Sequence, residues 1–260
     1  MIQAVTTPAQ QAEFIRRIAG KPYFAATMGT HCALFSAHPA SGWQFYLLPG
    51  QAALALRGGT ATLCGALPAG EAGGEAVEEL QGFLCFMGAD RLLSEGTPPV
   101  PWQPAETLLL WELPQGKRLP LPPAPPPELI FTDCPSMQPV SRLVFPDSGD
   151  EQEQFYTTAC TALAHGIGTC RALLSGQTPV CTVGCYEQSE TEAYMSAGVT
   201  DPAWRGRGLA GWLIVGLANE LAAARTARFT SVPALEGFYR RLGFWCCGTI
   251  QQSKREWEER

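Results

Sequence analysis

The sequence predicts an α+β protein built from two domains. Short apolar runs broken by Gly, Pro and Ser are interspersed with longer segments of helical spacing in both halves of the chain. A proline-rich segment, KRLPLPPAPPPEL, separates the halves. After it come a helix, three strands, a helix, a strand, a helix and a strand, an order that favours a mixed, mostly antiparallel sheet with flanking helices.

Composition limits the function classes. The 260 residues contain 46% apolar and 16% charged residues, which suits a compact protein with a sizeable core. The formal charge of −6 argues against a nucleic-acid partner. No apolar run approaches the ~20 residues that a membrane span needs. The N-terminus has no basic start followed by an apolar run, so we expect a cytoplasmic protein with reduced cysteines.

The ten cysteines and three histidines give no metal or nucleophile signature. Cys181 and Cys185 fall on one face of a predicted strand, and Cys246 and Cys247 are adjacent, but no CxxC pair exists. The histidines His31, His38 and His165 are scattered. We therefore expect buried structural thiols and no metal site.

The proline-rich segment sets the predicted domain boundaries. Six prolines between Pro120 and Pro127 exclude a helix or an inner strand. We predict a smaller α/β domain over residues 1–116, a stiff linker over 117–128 and a second domain over 129–260. Lys117, Pro120 and Pro123 also fit a basic-x-x-P-x-x-P ligand, although a plain spacer is the favoured interpretation.

The first domain is predicted to be mixed. Residues 8–19 have helical spacing, with Phe14, Ile15 and Ile18 on one face. The apolar runs HCALFSAH, WQFYLLPG, QAALALRG and TATLCGAL predict four strands. A helix follows in GGEAVEELQGFLCFMGAD, and then a strand in TLLLWEL. None of these segments carries a catalytic motif.

The second domain is predicted to open with a helix in EQEQFYTTACTALAHG, whose acidic first turn complements the helix dipole. Strands follow in GTCRALLSG, TPVCTVGCYEQ and TEAYMSAGVT, and then a helix over residues 208–225. The remaining elements are a strand in ARFTSV, a short helix in LEGFYRRLG and a last strand in FWCCGTIQQ.

The turn RGRGLA, residues 205–210, precedes the apolar helix and has the composition of an anion site. A helix start leaves backbone N–H groups without acceptors and is electropositive. Gly206 and Gly208 let the backbone approach a phosphate, and Arg205 and Arg207 add charge at the rim. Neither the P-loop nor the dinucleotide-binding glycine pattern is present. The alternative is a helix start whose glycines serve packing alone.

This turn resembles a named family. RGRGLA is similar to the R/Q-x-x-G-x-G/A signature of the GCN5-related N-acetyltransferases (GNATs). The preceding VTDP resembles the splayed fourth strand of that family, and FYRRLGF, residues 238–244, resembles its F-Y-x-x-x-G-F ending. The resemblance covers roughly residues 128–252. It implies that acetyl-CoA is the co-substrate and that the following residues bind it: Val199, Thr200, Arg205, Gly206, Arg207, Gly208, Leu209, Ala210, Ser231 and Phe238.

The resemblance also implies catalytic roles. It places the backbone N–H around Val199 on the thioester carbonyl oxygen and the Tyr239 hydroxyl near the sulfur as general acid. Glu192, thirteen residues before Arg205, matches the glutamate base of the histone-modifying members. The alternatives are a tyrosine that caps the core and an exposed turn glutamate. Ser231 stands where many members have asparagine, which puts that coenzyme contact in doubt.

The expected function is therefore acetyl transfer from acetyl-CoA to a primary amine, by direct attack in a ternary complex. Two alternatives stay open: a non-catalytic acyl-CoA-binding sensor or scaffold, and a transferase that uses another acyl donor. The acceptor is a small molecule or peptide of unspecified identity, and the oligomeric state is open. The element order of the first half suggests the hypothesis that it is a degenerate copy of the same fold.

Overall fold

The computed structural model describes residues 1–255, which form two compact units. The first unit contains Met1–Leu110, Thr230–Glu236 and the described residues from Cys247 onward. The second contains Trp111–Phe229 and Gly237–Cys246. The units therefore differ from the predicted domains, because two segments beyond the proline-rich region belong to the first unit. Residues 256–260 of the predicted second domain lie outside the described residues.

The first unit is a sheet with helices. Its strands follow the order β1-β2-β3-β4-β5-β12, antiparallel except for the parallel pair β4 and β5, which helix α3 connects. Strand β6 begins in this unit and ends in the second. The elements are β1 (Gln3–Ala4), α1 (Pro8–Ile18), α2 (Phe24–Phe35), β2 (Trp43–Leu47), β3 (Ala53–Arg57), β4 (Thr60–Cys64), α3 (Glu71–Phe86), β5 (Arg91–Ser94) and β6 (Gln103–Leu113).

One predicted strand of this unit was wrong. Residues of HCALFSAH belong to α2, of whose 12 residues nine are buried. A helix that is covered on nearly every side shows no 3.6-residue periodicity, so its short apolar runs resemble strands. The ring of His31 stacks on Trp43 at 4.1 Å within this core, and burial lowers the His31 pKa to about 3.

The second unit repeats the plan of the first. Its strands follow the order β11-β10-β9-β8-β7; β10 and β11 are parallel and the other pairs are antiparallel. Strand β7 and helix α4 were not predicted. The elements are β7 (Ile130–Thr132), α4 (Met137–Val144), α5 (Gly149–Ala164), β8 (Thr169–Ser175), β9 (Thr178–Gln188), β10 (Glu192–Thr200), α6 (Leu209–Leu221), β11 (Thr226–Ser231) and α7 (Glu236–Leu242). Strand β12 (Trp245–Lys254) begins in the second unit and continues in the sheet of the first.

The internal repeat is visible in the element order. Each unit runs strand, two helices, three antiparallel strands, a helix and a strand parallel to the one before it. The same topology twice in one chain agrees with the hypothesis of a degenerate copy. It also confirms the predicted mixed, mostly antiparallel sheet with flanking helices.

The proline-rich segment is packed on α6. Within residues 117–128 there is neither helix nor strand. The backbone N–H of Leu119 donates to Asn219 Oδ1 at 2.8 Å, and Asn219 Nδ2 donates to the Leu119 carbonyl at 2.9 Å. A Cβ added to Gly243 would lie 2.8 Å from the Leu119 side chain. The predicted stiff segment is thus held by a buried amide and by close packing within the second unit.

This packing explains why α6 is apolar on almost every side. One face of the helix contacts strands β8, β9 and β10, while Gly211 lies next to Pro122 and Leu242. Eight of its 13 residues are buried. The helix is therefore held in place on several sides and fixes the position of the turn that precedes it.

The cysteines, the possible metal ligands and the helix lengths can be described for residues 1–255. All ten cysteines lie in this part of the chain and are free thiols, five of them buried. Within the same residues, no group of three His, Cys, Asp or Glu side chains is placed to hold a metal ion. None of the described helices combines the length and the apolar character that crossing a membrane requires.

Candidate coenzyme and catalytic site

Strands β10 and β11 diverge before β10 ends. In the described chain their parallel pairing covers only Glu192 with Thr226, Ala193 with Ala227 and Tyr194 with Arg228. Strand β10 nevertheless continues to Thr200. The divergence leaves one edge of the last part of β10 unpaired with β11, as in the splayed strand that the VTDP resemblance implies.

A bulge in β10 lies in the divergent part. Ser196 faces Gly184 and Val199 faces Thr182 on β9, so β10 has one residue more than its partner over this stretch. Ala197 has φ 55°, a conformation that non-glycine residues rarely adopt. Such bulges bend a strand and redirect its backbone groups. Val199 and Thr200 are half-buried directly after this bend.

The glycine-rich turn carries exposed backbone donors. The N–H groups of residues 206–211 have no hydrogen-bond acceptor within residues 1–255; the next one, of Trp212, donates to the Gly208 carbonyl at 3.2 Å. Gly206 and Gly208 both have φ +77°, and a Cβ at either would meet no protein atom within 4 Å. Leu209 is buried and fixes the first turn of α6. Six N–H groups at a helix start that have no acceptor in the described chain form an anion-binding geometry.

The two arginines of the turn differ in their contacts. Arg205 is exposed, and its Nε donates to the Thr200 carbonyl at 3.2 Å. Arg207 lies over the ring of Trp204 at 4.6 Å and donates weakly to the Ala203 carbonyl at 3.4 Å. Neither guanidinium forms an ion pair with a described carboxylate. Both keep donor groups for a ligand near the exposed N–H groups.

Tyr239 lies in an aromatic cluster. Its ring packs against Phe229 at 4.6 Å, Phe238 at 5.0 Å and Trp111 at 5.6 Å. Phe229 comes directly after Arg228, the last residue of β11 paired with β10. The side chain is 8% exposed, and burial raises the Tyr239 pKa to about 12. The phenol therefore keeps its proton at neutral pH, as a general acid must.

Helix α7 connects this cluster to the glycine turn. Leu242, at the end of α7, would lie 3.2 Å from a Cβ added to Gly211 in the first turns of α6. Gly211 therefore lets α7 approach α6 closely. Tyr239 and the exposed N–H groups are fixed by the same helix pair.

Glu192 has a different environment from the one predicted. Its carboxylate is buried, and Oε2 accepts a hydrogen bond from Arg228 Nη1 at 2.5 Å. Arg228 also donates to Glu112 Oε2, from Nη2 at 2.8 Å and from Nε at 3.1 Å. Burial alone would lower the Arg228 pKa, but the two carboxylates reverse this and raise it. We call Glu112, Arg228 and Glu192 the buried ion triad.

The position of Glu192 also separates it from the turn. Six residues of β10 lie between Glu192 and Val199, where the predicted coenzyme-binding segment begins, a span of roughly 20 Å at the usual rise per residue. The carboxylate is neither an exposed turn glutamate nor an uncommitted base. The catalytic role stays a prediction, while the contacts of the residue are those of a structural ion pair.

Ser231 is also placed apart from the other predicted residues. It is assigned to the first unit, is buried, and its hydroxyl donates to the Val232 carbonyl at 3.2 Å. Its coenzyme contact therefore stays a prediction. Val199, Thr200 and Arg205, in contrast, line a single cavity of about 640 Å³ in the second unit.

Three structural features of the site were not predicted: Arg228, Glu112 and Asn219. Buried and half-buried residues alternate along β11, and Ala227 and Phe229, on either side of Arg228, are buried. The alternation indicates that the Arg228 side chain lies on the opposite face, but it does not identify its partner. Glu112 is 116 residues away in sequence, so no local pattern could connect the two.

The matching position in the first unit has the opposite charge. A cavity of about 670 Å³ lies at the start of α3 and is lined by Glu78 and Glu95. No arginine or lysine lines it, and Glu71 stands in the first turn of the helix. Carboxylates at this position repel phosphate, so the geometry favours a coenzyme site in the second unit only.

Comparison with solved structures identifies the fold. A tandem GNAT protein from the clavulanic acid biosynthesis pathway, determined without acetyl-CoA, is similar over 100% of this chain and 99% of its own, with a TM-score of 0.66 and 13% identity. The chain has the GNAT fold throughout. A GCN5-related N-acetyltransferase from Sphaerobacter thermophilus is similar over 100% and 97% (TM-score 0.62, 12% identity). Another from Kribbella flavida is similar over 82% and 89% (TM-score 0.56, 15% identity).

These likenesses correct the extent of the expected resemblance. The sequence motifs restricted it to residues 128–252, whereas the GNAT fold spans the complete chain, as the internal repeat requires. No family model and no curated protein sequence matches the chain. At identities of 12–15%, the likeness establishes the fold and leaves the activity to be argued from the site.

The buried ion triad is expected to be structural. Arg228→Met leaves the Glu192 carboxylate buried without its cation, so we expect the free energy of unfolding to fall by about 3–5 kcal/mol. Urea unfolding followed by tryptophan fluorescence measures this. The control is Arg241→Met, because Arg241 is exposed on the same unit; a change within about 0.5 kcal/mol is expected there. Equal changes in the two variants would contradict the structural role.

Proposed function

We propose that the protein is an acetyl-CoA-dependent N-acetyltransferase whose second unit binds the coenzyme and performs the transfer. The observation that carries this proposal is the set of six N–H groups at residues 206–211, which have no acceptor within residues 1–255 and stand at the start of a buried helix. The pyrophosphate of acetyl-CoA fits such donors, because the charge and the hydrogen-bond geometry are both complementary. Arg205 and Arg207 supply further cationic donors at the rim.

The transfer proceeds by direct attack. The nitrogen of a neutral primary amine forms a bond to the thioester carbonyl carbon, and the oxygen of that carbonyl gains negative charge. A backbone N–H around Val199 donates to this oxygen. The nitrogen of this tetrahedral intermediate loses its extra proton to solvent, and the C–S bond breaks. The departing thiolate accepts the proton of the Tyr239 phenol, and the phenolate regains a proton from solvent. No covalent enzyme intermediate forms.

This mechanism needs no carboxylate base next to the amine. Glu192 is committed to the buried ion triad, so the amine enters in its neutral form or transfers its proton to water. We expect the rate to rise with pH as the free amine becomes more abundant. A tyrosine of ordinary pKa would lose its proton near pH 10. Because the Tyr239 pKa is raised to about 12, the transfer rate should not fall near pH 10.

The second candidate is an acyl-CoA-binding module without turnover. The specific observation in its favour is that Glu192, the base implied by the family resemblance, is held by Arg228. A donor other than acetyl-CoA also stays open, since the N–H groups would bind the pyrophosphate of any acyl-CoA. Three statements stay predictions: that the acceptor is a small molecule or peptide with a primary amine, that the protein is cytoplasmic, and that it binds neither nucleic acid nor membranes.

Calorimetric titration with acetyl-CoA tests coenzyme binding. We expect one site per chain, because the matching position in the first unit is lined by Glu78 and Glu95. Propionyl-CoA and succinyl-CoA titrations identify the preferred donor. Absence of binding by all three would overturn the proposal, and two sites per chain would contradict its assignment to the second unit alone.

The glycine turn is tested by Gly208→Ala. A methyl group there projects into the open space in front of the N–H groups, and we expect the Kd for acetyl-CoA to rise about tenfold, equivalent to ~1.4 kcal/mol. Gly166→Ala is the matched control, because Gly166 has φ +68° and equally open surroundings. Both variants carry similar backbone strain. If both bind acetyl-CoA with the same affinity, the turn does not hold the coenzyme.

The role of Tyr239 is tested by Tyr239→Phe. Loss of the proton donor is expected to lower kcat for thiol release about a hundredfold or more, with the acetyl-CoA Kd unchanged. A panel of primary amines with a thiol reagent as readout measures this. Tyr156→Phe is the control, because Tyr156 is exposed on α5. Unchanged thiol release in Tyr239→Phe would refute the general-acid assignment and favour the module without turnover.

A further inference from the structure

The cavity at the end of β10 lies on the side of that strand away from β11. Its walls come from α4, from the turn and first residues of β9, and from the end of β10 with the following loop. Strand β10 has β9 along one edge and β11 along the other. The volume of about 640 Å³ is that of a small-molecule site. Residues 206–211, the proposed pyrophosphate donors, are absent from its walls.

The charge of this cavity is locally positive. Two guanidinium groups, those of Arg142 on α4 and Arg205 after β10, line it together with one carboxylate, that of Asp201. Asp201 Oδ1 already accepts a hydrogen bond from the Ala203 N–H at 2.8 Å. Arg142 forms no hydrogen bond or ion pair with the rest of residues 1–255. A cavity with an excess of one positive charge stands out in a chain whose net charge is −6.

Guanidinium groups of this kind recognise planar or tetrahedral oxyanions. Each presents a fork of N–H donors that matches a carboxylate or a phosphate. Arg205 borders the cavity but is assigned to the coenzyme phosphates in the proposed function, so Arg142 is the guanidinium group available for a second anion. Thr200 and Thr178 add hydroxyl groups to the same walls. The donor set is therefore suited to one anionic group and not to a purely cationic polyamine.

We propose that this cavity, with Arg142 as positioning residue, binds a carboxylate or phosphate group of the acceptor, so that the substrate is a primary amine that carries an anionic group. The inference rests on the proposed function, because it requires the thioester carbonyl of acetyl-CoA to bind next to Val199. Val199 and Thr200 border the cavity, so an acceptor anchored there has its amine next to that carbonyl. The coenzyme phosphates are bound by residues 205–211, of which only Arg205 also borders the cavity.

The test uses the native chain and an arginine-selective reagent. Phenylglyoxal modifies accessible guanidinium groups, and peptide mass spectrometry gives the rate at Arg142 and at Arg118, an exposed arginine of the proline-rich segment. The probes are inorganic phosphate, L-lysine and cadaverine, which lacks the carboxylate, at equal ionic strength. Phosphate and L-lysine should slow modification of Arg142 about tenfold at ten times their Kd, because only the free fraction reacts. Arg118 should be unaffected, and cadaverine should protect neither residue.

Two outcomes would overturn the proposal. Equal rates at Arg142 with and without phosphate or L-lysine would show that the cavity binds no oxyanion. Protection of Arg142 by acetyl-CoA that disappears with 3′-dephospho-acetyl-CoA would assign the anion to the donor instead of the acceptor. Failure of the proposed function is distinguishable, because it appears as absent calorimetric binding of acetyl-CoA, whatever happens at Arg142.

A variant pair provides a kinetic check. For amines that turn over, Arg142→Gln should raise KM for L-lysine about tenfold to a hundredfold, with kcat and the acetyl-CoA Kd unchanged, because one charged hydrogen-bonding group is lost. KM for cadaverine should not change. Arg118→Gln is the control and should match the native protein. An equal effect of Arg142→Gln on both amines would contradict recognition of the anionic group.

Discussion

The start of α6 imposes the main constraint on the second unit. A helix cannot satisfy its first N–H groups internally, and here those of residues 206–211 have no protein acceptor in the described chain. The N-cap position is Gly208, so no capping side chain supplies one either. The Thr7 side chain caps α1 and the Ser148 side chain caps α5, whereas α2, α3 and α4 have no side-chain cap, like α6. What distinguishes α6 is the turn before it, in which Arg205 and Arg207 flank two glycines.

The surroundings hold this uncapped start rigidly. Strands β8 to β10 cover one side of α6, and the proline-rich segment covers another through the amide of Asn219. Helix α7 approaches at Gly211 and carries Tyr239 into its aromatic cluster. The buried ion triad fixes β10 to β11 just before they diverge. Preorganised donors of this kind bind charge without first having to be ordered.

The two units show how one topology can support different sites. The start of α3 in the first unit has Glu71 where the second unit has Leu209 as first helical residue. The cavity at the start of α3 has Glu78 and Glu95 among its walls, whereas the turn before α6 carries Arg205 and Arg207. The fold is thus repeated, while the charge at the start of the equivalent helix differs between the units.

Much of this was accessible from the sequence because it depends on local signals. The glycine turn, the apolar α6 and the order of elements from α5 to β12 follow from turn chemistry and periodicity. The contacts that were missed join distant segments: Glu112 with Arg228, and Leu119 with Asn219. Helix α2 was taken for a strand because burial on all sides removes its periodicity. The first unit has no motif of its own, so only its topology reveals the repeat.

Hydrogen–deuterium exchange with and without acetyl-CoA tests the central claim most directly, since it reports on the backbone N–H groups themselves. The account predicts slower exchange in peptides that cover residues 199–212 and unchanged exchange in those that cover residues 63–80 at the start of α3. Unchanged exchange over 199–212 with bound acetyl-CoA, or protection confined to 63–80, would contradict it.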